Sequence, residues 1–238
     1  MESTSVRKGQ RPFQWIVLGC LLVFVLLLVS MFVYPGGTNN DPTTRGYLFT
    51  KNFFSDLGRT IAHNGNPNIA SAALFFMALV LAGLAVLLFS VSMLQFFKWP
   101  RSARLLSWIG TASGVVSGLG YVGIAFAPAN LLLDVHILLV QVAFLGFFLF
   151  VIFYLAAILV SKDYPNRDAT FLAGFAVILA GYLWLLFFGP GPDTPIGLTI
   201  QATGQKIVVY AMILTVFFEA DRARRLAENA TNNLRRRE

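Results

Sequence analysis

Charge is scarce in this chain. Only 12% of its 238 residues are Asp, Glu, Lys or Arg, against about 25% in an ordinary soluble domain. With 57% apolar residues and a mean hydropathy of +0.70, too little polar surface exists to cover a solvated core, so a soluble globular fold is excluded. Disorder, which needs low hydrophobicity, is excluded for the same reason. Cysteine is nearly absent: Cys20 is the single one, and it lies inside an apolar run, so no intramolecular disulfide can form. Two histidines, His63 and His136, are too few to ligate a pair of haems. Proline is missing from the middles of the apolar stretches and the two halves of the chain do not match. Those are the marks that broken-helix transporters built on inverted repeats would carry.

What the chain has is long apolar runs. A bilayer core of about 30 Å needs roughly 20 apolar residues of helix. Six stretches qualify, near residues 13–34, 68–97, 105–127, 131–160, 169–188 and 199–218. The first follows Arg7, Lys8 and Arg11 but is longer than a signal-peptide core and lacks a small-residue cleavage site, so it reads as a retained anchor. The expected architecture is an all-α, six-span bundle in one domain. It comprises an N-terminal tail (1–12), a membrane domain (13–219) and a basic C-terminal tail (220–238).

Of the 18 Lys and Arg residues, 14 lie in the two tails and in the connections 98–104 and 161–168. The positive-inside rule then places both termini in the cytoplasm of a cell-membrane protein. Net charge is +7, but the basic residues are scattered at span ends rather than gathered in a patch. That pattern fits topology and not nucleic-acid binding. In the third span Gly110, Gly114 and Gly118 recur every four residues and clear one helix face of bulk, which allows a neighbouring backbone to approach closely. Packing inside the bundle is the expected use of that stripe, and a homo-oligomer or protein partner the alternative.

Only the connection 35–67 is long, and it lies on the outer face. Tyr47, Phe49, Phe53, Phe54, Leu57 and Ile61 recur at near-helical spacing, which predicts an amphipathic helix over about 50–63 lying on the membrane surface. Gly65 would stop it, and Asn66-Pro67 would start the second span. This helix would carry Asn52, Ser55, Asp56, Arg59 and His63. At similar depth come Asp134 and His136, at the outer start of the fourth span, and Gln205 and Lys206, in the outer half of the sixth. Ionisable residues within membrane helices are costly and usually face a bundle interior with a partner. The expected partner of Lys206 is Asp56, with Asp134 as competitor.

The run Asn52-Phe53-Phe54-Ser55-Asp56-Leu57-Gly58 resembles the N-x-x-S-D-L-G motif of a bacterial and archaeal family of six-span membrane proteins of unknown function. Pro128 with His136, and Gln205-Lys206-Ile207, are similar to that family's patterns in its fourth and last spans, although Lys206 stands where Arg is usual. A more distant similarity is to the Frag/DRAM/Sfk-type membrane proteins, some of which are linked to lipid organisation. Neither resemblance implies an established catalytic mechanism.

Four uses of the polar cluster follow. A lipid-headgroup site would hold phosphate on Lys206 and Arg59, with His136 or Asp56 as proton carriers if the lipid is modified. A clamp would use the same groups only to fasten the outer loop. A metal-dependent hydrolase would recruit His63, His136 and Asp56 or Asp134, but no H-x-x-x-H or H-E-x-x-H spacing supports it. A small-solute transporter lacks the marks named above. No cofactor is implied; membrane lipids are the expected partners.

Overall fold

The computed structural model describes residues 2–161, 164 and 166–235, with side chains placed over 11–161, 164 and 169–229. The basic residues Arg7, Lys8, Lys162, Arg167 and Arg235–Arg237 therefore lie outside the described side chains. Six long helices dominate: α1 (Glu2–Phe32), α2 (Ile69–Met93), α3 (Arg101–Ala125), α4 (Leu133–Val160), α5 (Asn166–Phe188) and α6 (Pro195–Arg235). Each contains a segment long and apolar enough to cross a membrane. The chain is an integral, multi-pass membrane protein by this measure.

Outward-facing Leu, Val, Ile and Phe are the rule on these helices, as at Leu119, Leu138 and Val177. Such faces are stable only in hydrocarbon. Each helix packs on its neighbours in sequence and α1 closes the ring against α6. The last helix overruns its expected span: 41 residues reach about 60 Å at 1.5 Å per residue, so the basic tail begins as a continuation of α6.

The glycine stripe packs within the chain. A Cβ at Gly118 would meet Leu87 and the Gly83 carbonyl of α2 at 2.6 and 2.8 Å, and one at Gly110 would meet Tyr154 of α4 at 2.9 Å. At Gly114 it would overlap Ser90 of α2. The close approach lets polar groups bond between helices. The Thr111 and Tyr154 hydroxyls lie 2.8 Å apart and within 3.0 and 3.1 Å of the Ser90 carbonyl, so that one donates to the other and the second to the carbonyl, while Ser117 donates to the Ala143 carbonyl at 2.8 Å.

The long loop departs from expectation. No helix spans 50–63. Instead β1 (Gly36–Thr38) and β2 (Asp41–Arg45) pair as an antiparallel hairpin, followed by turns and one short 3-10 helix, Phe54–Gly58. Gly36 and Gly37 have φ of +128° and +82°, and a Cβ at Gly37 would overlap the His63 and Asn64 backbone. Glycine is therefore required where the hairpin crosses the rest of the loop. Asp41 closes the hairpin turn by accepting from the Thr43 amide and hydroxyl at 2.9 and 2.6 Å, which holds its carboxyl below the usual range. Gly65 does take a positive φ, but in a turn rather than a helix stop. The second span starts at Ile69 with Asn68 as its N-cap residue, two residues beyond Asn66-Pro67.

The reason lies in where the apolar side chains go. Phe54 and Leu57 are buried in a second core with Val23, Leu27, Tyr34, Ala62, Phe75 and Ala78, forming a plug at one end of α1, α2 and α6. A helix lying on the surface would have kept these side chains out of that core.

Candidate functional site

The plug is held by polar groups that mostly meet backbone. Asn52 is fully buried. Its Nδ2 donates to the Gly37 carbonyl at 2.8 Å and to Asp56 Oδ2 at 3.0 Å, and its Oδ1 accepts from the Leu48 amide at 2.9 Å. Asp56 Oδ2 also accepts from the Phe53 amide, and Oδ1 meets His63 Nε2 at 2.9 Å. Asp56 thus caps the short helix and ties it to His63. The His63 amide donates to the Tyr34 hydroxyl, and burial, with a smaller push from Asp56, raises that phenol to about 12. Tyr47 is displaced upward for the same two reasons in the same order.

From the bundle side, Gln205 Oε1 accepts the Phe54 amide at 2.7 Å. Asn68 Nδ2 donates to the Leu57 and Arg59 carbonyls at 2.9 and 2.8 Å, and Ser71 donates to the Leu57 carbonyl. Asn130, in the α3–α4 connection, exchanges two hydrogen bonds with Thr60, and Asn39 of the hairpin reaches the Pro192 carbonyl. The loop is thereby fastened to α2, to α6 and to both short connections at its end of the bundle.

Lys206 is 1% exposed. Its ammonium does not pair with Asp56. Nζ donates to the Asn52 carbonyl and, at 3.1 Å, to the Ala202 carbonyl. It stands 5.2–5.4 Å from the ring centroids of Tyr47, Phe49 and Phe54, an aromatic enclosure suited to a cation. The expected Asp56–Lys206 contact is corrected accordingly: Asp56 acts on the charge only from beyond ion-pair distance, backbone oxygens and ring faces meet it, and the carboxylate bonds to His63.

Asp134 is also not brought in. It is exposed in the first turn of α4. Arg59 is partly exposed and its Nε donates to the Ile61 carbonyl, so it does not converge with Lys206. His136 is buried on α4, with Nδ1 on the Ala127 carbonyl at 2.7 Å. Among the described residues no three of His, Cys, Asp and Glu are placed to share a metal ion, so His63, His136 and Asp56 or Asp134 do not form the metal set considered above.

Sequence reasoning missed Asn68, Ser71, Asn130 and the aromatic enclosure. Asn130 and Asn68 were visible as polar residues at span starts, but capping is the ordinary explanation there.

Under the plug lies an apolar cavity of about 70 Å³ lined by α1, α2, α3, α4 and α6, with Ser55, His136 and Gln205 at its polar rim. A second, of about 20 Å³, adjoins Pro128 and Ala129 and shares Ser55, Phe75, Ile124 and His136 with the first. Compared with family models, curated proteins and solved structures, the chain finds no match.

Proposed function

We propose that this is a cell-membrane protein with both termini cytoplasmic, whose first outer loop is clamped onto the bundle as a rigid cap. It works through non-covalent interaction at that cap rather than by catalysis. The observation that carries this is Lys206. A cation kept for an anionic headgroup would face an opening, whereas this one is buried and engaged by two backbone carbonyls and three rings. Arg59, the second cation of the headgroup reading, is turned to a loop carbonyl. Asn52, Asp56, Gln205 and Lys206, through which the chain resembles the N-x-x-S-D-L-G family, are the clamp itself, and a shared cap would account for that resemblance. The orientation rests on the basic residues gathered at the end away from the cap.

Native mass spectrometry in gentle detergent, combined with thermal unfolding, tests the reading. A clamp predicts that Lys206→Ala leaves phospholipid retention unchanged and lowers Tm by several degrees. A phospholipid kept by wild type and lost in Lys206→Ala, at unchanged Tm, would return the site to a headgroup.

A further inference from the structure

His136 is engaged on one side only. The Ala127 carbonyl can only accept, so Nδ1 carries the hydrogen, and in the neutral ring Nε2 is a bare lone pair. No described residue bonds to Nε2. The ring is nonetheless buried, and it lines both cavities under the cap. Ser55, which lines the same two spaces, makes no side-chain hydrogen bond to a described residue. Two polar atoms therefore face a space whose remaining walls are nearly all apolar, with Phe75 and Ile124 beside them and Val140, Phe144 and Met212 beyond.

Buried polar groups are ordinarily satisfied. The smaller space has room for one small polar group, since about 10–15 Å³ holds a water. The larger, at about 70 Å³, is near half the roughly 150 Å³ that admits benzene. It takes a short aliphatic stem, not a ring.

We propose that His136, Ser55 and the cavity behind them bind a slender aliphatic alcohol. Its hydroxyl donates to His136 Nε2 and exchanges a hydrogen bond with Ser55, and its stem lies among Phe75, Val140 and Met212. A carboxylate or phosphate is disfavoured, because it would set an anion against a lone pair in apolar surroundings. A hydroxyl supplies the donor without charge. The same chemistry fits the hydroxyl end of a single-chain membrane lipid and a free short alcohol. Because Ser55 belongs to the loop, the site rests on the clamp described above.

The two histidines make the test direct. The full chain, labelled with ¹⁵N-histidine and purified, is titrated with ethanol and, separately, with its apolar isostere propane. The expected result is a saturable shift of the unprotonated His136 Nε2 resonance with ethanol, none with propane, and no movement of His63. Ser55→Ala should weaken ethanol about tenfold, the worth of one hydrogen bond of about 1.4 kcal/mol. Ala82→Leu, which fills the cavity wall and leaves His136 in place, should abolish saturation. A longer alcohol such as 1-butanol that binds more tightly than ethanol would assign the site to a lipid chain end; weaker binding would assign it to a free short alcohol. A shift that never saturates, an equal response to propane, a protonated Nε2, or a resonance set by bound water that ethanol does not displace would each overturn the proposal. A failed clamp is told apart by an unchanged Tm in Lys206→Ala and fast amide exchange of the loop in wild type, whereas a failed site leaves the lowered Tm of Lys206→Ala and the slow exchange of the wild-type loop intact.

Discussion

A lysine seven residues into the last apolar span must find compensation, because a charge in hydrocarbon costs at least about 2.5 kcal/mol on insertion scales. Asp56 was the natural partner by depth along the membrane normal, but depth is a single coordinate. The angular position of Lys206 on α6 puts its amine under the Asn52 carbonyl, and Asp56 turns instead to His63 and the Phe53 amide. The two halves should therefore fail differently. Lys206→Met keeps the aliphatic stem but removes the ammonium's two hydrogen bonds to carbonyls, of which the Asn52 carbonyl keeps only the Tyr47 hydroxyl; losing these charge-assisted bonds should cost about 1–3 kcal/mol in equilibrium unfolding. A double-mutant cycle of Asp56→Ala with His63→Ala should show coupling of about 0.5 kcal/mol or more, as expected for groups in direct contact. Additive effects in that cycle would contradict the observed pair. Which residues gather at this end was legible in the sequence: Asn52, Asp56, His63, Gln205 and Lys206 all join one network. Asp134 did not join because the first turn of α4 presents it outward, a rotation that a sequence position at a span start does not specify.

Among the elements, the six spans were readable because hydropathy windows respond to the bilayer alone; α2 to α5 begin and end within a few residues of them, while α1 starts earlier and α6 runs on beyond its apolar stretch. The outer loop was not. Aromatic residues spaced like a helix also suit an irregular segment that drops Phe54 and Leu57 into a gap, and periodicity cannot tell the two apart. The paired glycines Gly36 and Gly37 were the overlooked signal, since their backbone angles permit the hairpin. Gly37→Ala should lower stability by more than 1 kcal/mol or so, from a disfavoured φ combined with overlap on the His63–Asn64 backbone. Gly65→Ala, with a positive φ but open space around it, should cost less. Equal thermal shifts for the two variants would argue against the crossing. In the bundle, Gly118→Val forces α3 off α2 and should destabilise by about 1–3 kcal/mol, the usual range for overpacking.

At the scale of the whole molecule, a ring of six helices is closed at one end by a loop bonded to α2, α6 and both neighbouring connections, while most of the described basic residues outside the loop lie at the other end. Single cysteines in a Cys20→Ser background check the proposed orientation. Asn40 and Glu228 are exposed positions, whereas Thr38 is buried in the hairpin and would report accessibility rather than side. Impermeant reagent should label Asn40→Cys and spare Glu228→Cys in intact cells. The central claim, that the polar cluster serves to hold the cap down, is tested most directly by amide hydrogen exchange over residues 52–58 in wild type and Lys206→Met. There the Phe53 and Phe54 amides donate to Asp56 and Gln205 side chains. The account predicts slow exchange of this segment in wild type and at least tenfold faster exchange in Lys206→Met, with α3 and α4 unchanged. Fast exchange in wild type, or a segment indifferent to loss of the ammonium, would contradict it.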